Sequence, residues 1–236
     1  MPTPFREDSR LSEPTSSSLS ASSTASSTAS LTPGLRLVLM VLLLGLTLAL
    51  RFAPLPENFS AFGALAIFCG MFARGGLRWW FPLVALFAAD CIGQLARVPG
   101  MGFYHPESML FNYAGLAVMT LVGAVLGNWA GRSGSGSGTA FFGTSIPLAV
   151  ARTAAIALIA SACFFLLSNF GAWLDPLMQY EKSPAGLLQC YIAGLPFWRA
   201  TLVSDVLFAV GFWAFAALFA SVAKPRALAR QKVGRS

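Results

Sequence analysis

Charge is what this sequence has least of. Asp, Glu, Lys and Arg make up 11% of its 236 residues, against about 25% in a soluble domain. Nine of them are acidic, and histidine occurs once, as His105. These shortages exclude whole classes of chemistry. No HExxH is present for a membrane metalloprotease, and no GxxxxGK[ST] to hold nucleotide phosphates, so any energy for pumping comes from a partner or an ion gradient. The single G-x-S-G, at Gly131 to Gly134, has its serine in a Gly/Ser linker and no histidine within reach. Four cysteines (Cys69, Cys91, Cys163 and Cys190) are far apart and form no CxxC, which argues against a disulfide framework or a zinc site. The expected protein is not an enzyme and carries no cofactor or metal.

What fills the space is apolar. Hydrophobic residues reach 56%, and mean hydropathy is +0.68. Such a composition belongs to an integral membrane protein. The net charge of +7 does not gather into one patch, so nucleic acid is not an expected partner; the lipid bilayer is. Residues 1–34 differ from the rest. SEPTSSSLSASSTASSTAS is Ser/Thr/Ala low complexity, too poor in apolar mass to offset the entropy of ordering, and reads as a disordered tail. A cleaved signal peptide is a poorer reading, because LTLALRFAP offers no clean A-x-A site. Residues 35–223 form the membrane bundle, and 224–236 a basic cytoplasmic tail.

The expected fold is all-α: a polytopic bundle of about six transmembrane helices. Spans are placed at about 35–53, 60–75, 77–96, 108–130, 145–171 and 197–222, the fifth following the flexible SGSGSGT. Residues 185–195, AGLLQCYIAGL, are apolar but too short to cross. With Pro196 behind them they read as a short interfacial or re-entrant helix before the last span. Counting basic residues orients the bundle. Placing the N-terminus, the loops after spans two and four, and the C-terminus in the cytoplasm puts twelve basic residues there, against Arg51, Arg97, Lys182 and Arg199 outside. That predicts a multi-pass membrane protein with both termini cytoplasmic. Gly123-x-x-x-Gly127 and Ala66-x-x-x-Gly70 are small-residue pairs that let helices approach closely, and packing inside the bundle is their expected use.

Two acids fall within the spans, Asp90 and Asp205. A carboxylate at that depth costs several kcal/mol unless paired, hydrated or protonated, which makes each a candidate functional group. Both are expected about 10 Å below the outer surface. Gln94 lies one turn from Asp90 on the same face, and Asn112 and Asn169 fall near the same level. Trp173 and Tyr191, with Tyr180, Phe197 and Trp198, would ring the mouth. Asp90, Gln94, Asn112, Asn169, Trp173, Tyr191 and Asp205 are therefore the candidate substrate-binding residues. The bland alternatives are an interfacial aromatic belt, and a structural pairing of either acid with Arg97 or Arg199. His105 reads as a solvated loop residue.

Four blocks also form a pattern: PENFSAFGALAIFCGMF (56–72), PLVALFAAD (82–90), SNFGAW (168–173) and SPAGLLQCYIAGLPFWRATLVSD (183–205). Together they resemble an uncharacterised bacterial family of multi-pass membrane proteins, a resemblance that implies a bacterial inner (plasma) membrane location. That family is distantly similar to the S components of energy-coupling-factor (ECF) transporters. The resemblance implies a subunit that binds a small micronutrient from outside and relies on a transmembrane coupling subunit with ATPases. It also implies a docking face for that subunit near Ala64, Ala66 and Gly70. A self-contained ion-coupled transporter and a non-catalytic structural membrane protein are the alternatives.

Overall fold

The computed structural model describes residues 33–98, 101–132 and 145–233. The Ser/Thr-rich tail and the SGSGSGT linker lie outside the described residues, as does Ser133. Among those described there are six α-helices: α1 (Pro33–Arg51), α2 (Phe62–Phe72), α3 (Leu77–Leu95), α4 (Pro106–Arg132), α5 (Ile146–Leu174) and α6 (Pro184–Val233), with a 3₁₀ turn at Pro176–Met178. Segments Gly34–Arg51, Pro106–Asn128, Ile146–Leu174 and Pro184–Val222 are long and apolar enough to cross a bilayer. Four such helices make this a helical membrane protein, two spans short of the expected six.

The two differences have physical causes. The stretch expected to span at 60–75 forms only the 11 residues of α2, about 16 Å of helix and half of a hydrocarbon core. Ten of those residues are buried, so α2 is a short rod sunk into the bundle. Its C-terminal end is closed by Arg78, whose Nε and Nη2 donate to the Ala73 carbonyl at 3.2 and 3.0 Å. Gly75 then turns the chain at φ +60°, a conformation that suits glycine. The expected third span is helical as α3, but Arg78 and Asp90 dilute its apolar run, and it falls outside the four.

The expected break at Pro196 does not occur. Residues 185–195 and the last span belong to one continuous helix, α6, of 50 residues, so there is no separate interfacial or re-entrant helix. Proline removes one backbone hydrogen bond, which membrane helices tolerate when neighbours supply contacts. Here α5 does so: Tyr191 donates its hydroxyl to the Leu166 carbonyl at 3.0 Å, Cys190 Sγ donates to the Asn169 carbonyl at 3.3 Å, and Trp198 stacks on Phe165 at 4.9 Å. The same helix carries on through the basic segment expected as a tail, as far as Val233.

Packing is densest where α2 meets α4, α4 meets α5, and α5 meets α6. At α2–α4 the small residues do the work expected of them. A Cβ on Gly123 would lie 2.5 Å from the Ile67 carbonyl oxygen, and one on Gly127 2.9 Å from Met71 Cγ. A Cβ on Gly70 would overlap the backbone of Thr120 and Ala124. Gly70 is thus buried beneath α4, and Ala64 and Ala66 are fully buried within the bundle. The residues that the S-component resemblance marks for docking are therefore inside the protein's own bundle.

Candidate functional site

Helices α1, α3 and α5 end, and α2, α4 and α6 begin, toward one end of the bundle. Residues near those ends enclose a cavity of about 940 Å³, within the range of small-molecule sites. The irregular segment 52–61 dips into it and delivers the N-terminus of α2 to its interior. That segment is anchored by Ser60 N–H donating to Ser204 Oγ at 3.3 Å and Thr201 Oγ1 donating to the Asn58 carbonyl at 3.2 Å.

Both membrane acids line this cavity, and both are buried, Asp90 at 5% and Asp205 at 2% exposure. Asp90 accepts a hydrogen bond from Tyr113 Oη at 2.7 Å, and Arg51 is its nearby positive charge. Neither acid forms an ion pair with Arg97 or Arg199. Asp205 is less well served. One of its oxygens, Oδ2, is buried with no hydrogen-bond partner. The Ser161 hydroxyl lies close enough to favour the carboxylate electrostatically, but neither it nor Oδ2 is in regular hydrogen-bonding geometry. The other face of the carboxylate sits so close to Gly63 that any Cβ there would overlap it. Asp205 thus faces the start of α2, where unpaired N–H groups and the helix dipole favour a negative charge.

The acids are not level. Asp90 bonds Tyr113 on α4, whereas Asp205 and Met119 meet at Gly63, six residues further along α4. Judged by the parts of α4 they meet, Asp205 is the deeper of the two. The expectation of equal depth failed because α6 begins 13 residues before the assumed start at 197.

Four of the seven candidate residues come together around the cavity: Asp90, Asn112, Asn169 and Asp205. Asn112 Nδ2 donates to the Tyr104 hydroxyl, and Asn169 Nδ2 to the Phe165 carbonyl at 2.9 Å. The other three do not line it. Gln94 is exposed and uses Oε1 to accept the Phe103 N–H at 3.2 Å, bracing the loop before α4. Trp173 donates Nε1 to the Glu181 carbonyl at 2.8 Å and lies under Lys182, fixing the turn between α5 and α6. Tyr191 is spent on the α5 contact described above. Sequence reasoning missed Arg51, which closes the first apolar run and read as an ordinary loop charge. It also left Trp198, which lines the cavity with a buried, unpartnered Nε1, among the general aromatics.

At the rim, a second polar group ties α4 to α5. Asp175 is 2% exposed and accepts from Ser108 Oγ at 2.7 Å and Leu177 N–H at 2.9 Å. His105 is no free loop residue: it pairs with Glu107 and lies 3.7 Å from Asp175 Oδ1. Burial alone would raise the Asp175 pKa, but the bonds from Ser108 and Leu177, with the charges of His105 and Lys182, hold it below the ordinary carboxylate value.

Among the described residues, no group of three or more His, Cys, Asp or Glu side chains is placed to hold a metal ion. No curated protein and no solved structure matches this chain. The resemblance to ECF S components therefore gains no support from comparison and rests on the sequence blocks alone. One family profile does match, over residues 32–228, which takes in every described helix almost to the end of α6. The chain belongs to that family, a family of unknown function designated DUF6580.

Proposed function

We propose that this protein is a membrane-embedded binding and uptake subunit that takes a small polar molecule into the cavity at one end of its helix bundle. The observation that carries the reading is the convergence of Asp90 and Asp205 on that cavity. Two buried acids from separate helices are costly in a membrane, and substrate or ion pathways are where proteins retain them. In the S-component form of this reading, a coupling subunit and ATPases supply the energy. Ala64, Ala66 and Gly70 are buried inside the bundle, Gly70 against α4, so in this reading such a partner docks on another face.

A second reading, a self-contained ion-coupled transporter, is favoured by α2. A half-length helix whose N-terminus opens into a central cavity is the building block of many secondary transporters. Against it, α6 is unbroken, so the inverted partner of a broken helix is not found among the described residues.

The test is purification from native membranes in mild detergent, with mass spectrometry of the small molecules that accompany the protein. A bound compound is expected in the wild type, and its loss in an Asp90→Asn/Asp205→Asn variant that accumulates normally. An empty wild-type preparation would overturn the proposal. Co-purifying ATPases favour the subunit form, and proton-driven uptake by proteoliposomes of the protein alone favours the transporter.

A further inference from the structure

We infer that the cavity selects an organic cation: a small aromatic or aliphatic molecule bearing an ammonium or other protonated nitrogen, held at Asp205. This deepens the binding reading above and rests on it. The argument begins with the charges lining the cavity. Three are acids, Glu57, Asp90 and Asp205, and one is a base, Arg51. The Tyr113 hydroxyl bonds Asp90 and Arg51 is the positive charge near it, short of an ion pair, while Glu57 is exposed at the rim. Asp205 is left without a counter-charge. It is 2% exposed, lines the cavity, and keeps Oδ2 without a partner. A buried acceptor of this kind costs free energy until a donor meets it.

The start of α2 meets part of that need, since a helix N-terminus carries roughly half a positive charge. It approaches the carboxylate from the Gly63 side and leaves Oδ2 unserved. A transition-metal ion is a poor complement, because the described residues offer no group of three His, Cys, Asp or Glu side chains there. The surrounding wall suits an organic cation instead. Phe59, Phe164, Phe165, Phe197 and Trp198 all line the cavity, and aromatic faces attract ammonium groups, most strongly away from water. Trp198 lies two helical turns from Asp205 on α6, about 10 Å along the axis. Its unpartnered Nε1 offers a donor for an acceptor group toward the ligand's other end.

Three benzyl probes of similar shape separate the possibilities: benzylammonium, benzyl alcohol and benzoate. Each is titrated at pH 7 into the wild-type protein in lipid nanodiscs, with empty nanodiscs as the blank. Benzylammonium is expected to bind at least about tenfold more tightly than benzyl alcohol, and benzoate not at all. Asp205→Asn should erase that preference while leaving residual binding of the alcohol. Because the ranking is read on the wild type, it stands even if the variant fails to fold. Equal binding of ammonium and alcohol would mean that Asp205 is a neutral, structural acid, and the inference falls. Preference for benzoate, or no binding by any probe, overturns it too. If a neutral or anionic compound co-purifies with the protein, the binding reading survives and only the cation assignment is lost.

Discussion

Asp175 shows how a single side chain is retained at the rim of this protein. Buried between Ser108, the Leu177 N–H and His105, it joins the start of α4 to the end of α5. Hydrogen bonds to a buried charge contribute about 1.5–3 kcal/mol each, so Asp175→Ala is expected to destabilise the protein by roughly 2–3 kcal/mol in thermal unfolding in detergent. The sign of its pH dependence follows from the lowered pKa. Its stabilisation is complete above the ordinary carboxylate value, about 4, and is lost as pH falls through the lower folded-state value. Acid unfolding of the wild type, compared with the alanine variant, should show the two curves converging below that value and separating above it. The sequence made the membrane acids legible, because a charge inside an apolar run has few cheap explanations. It did not reveal Asp175 as a tie, since an aspartate before a proline also reads as an ordinary turn. Gln94 misled for a related reason: helical spacing placed it beside Asp90, but spacing cannot tell a cavity-facing amide from one that caps a nearby loop.

Helices were legible as apolar runs, and their ends were not. Hydropathy treats α2 as a span, yet the chain leaves the helix after Phe72 because Arg78 and Gly75 close and turn it there. The reverse error arose at Pro196, where a residue that ends helices in water sits inside one here. Pro196→Ala is therefore expected to leave thermal stability unchanged or to raise it, by up to about 3 kcal/mol. A marked loss of stability would show that the proline shapes a bend the bundle needs. The α2–α4 contact makes the opposite prediction. Gly123→Leu would force a side chain into the backbone at Ile67, and overpacking of this kind costs about 1–3 kcal/mol or more. Gly45→Ala, with nothing within 4 Å of the added carbon, should be silent or slightly stabilising. Equal melting temperatures for Gly123→Leu and the wild type would contradict the close approach of these helices.

Across the whole molecule, the arrangement of helix ends gives the bundle two unlike faces. One holds the cavity and segment 52–61, and the other holds the turn from α2 to α3 around Arg74. We propose, from the positive-inside count, that the first faces the outside. Single cysteines at Glu57 and Arg74, in a background with the four native cysteines replaced by alanine, test that assignment. In intact cells a membrane-impermeant maleimide is expected to label the first position and to spare the second until the membrane is opened. Labelling of Arg74→Cys alone would place the cavity on the cytoplasmic side.

The length of α6 has a mechanical consequence. Its 50 residues measure about 75 Å, more than twice the roughly 30 Å of bilayer hydrocarbon. Even a 40° lean would leave about 57 Å along the membrane normal, so a substantial part of the rod overhangs the lipid. Asp205 and Trp198 ride on this same rod. Whatever holds the overhang therefore holds the same helix that forms one wall of the chamber.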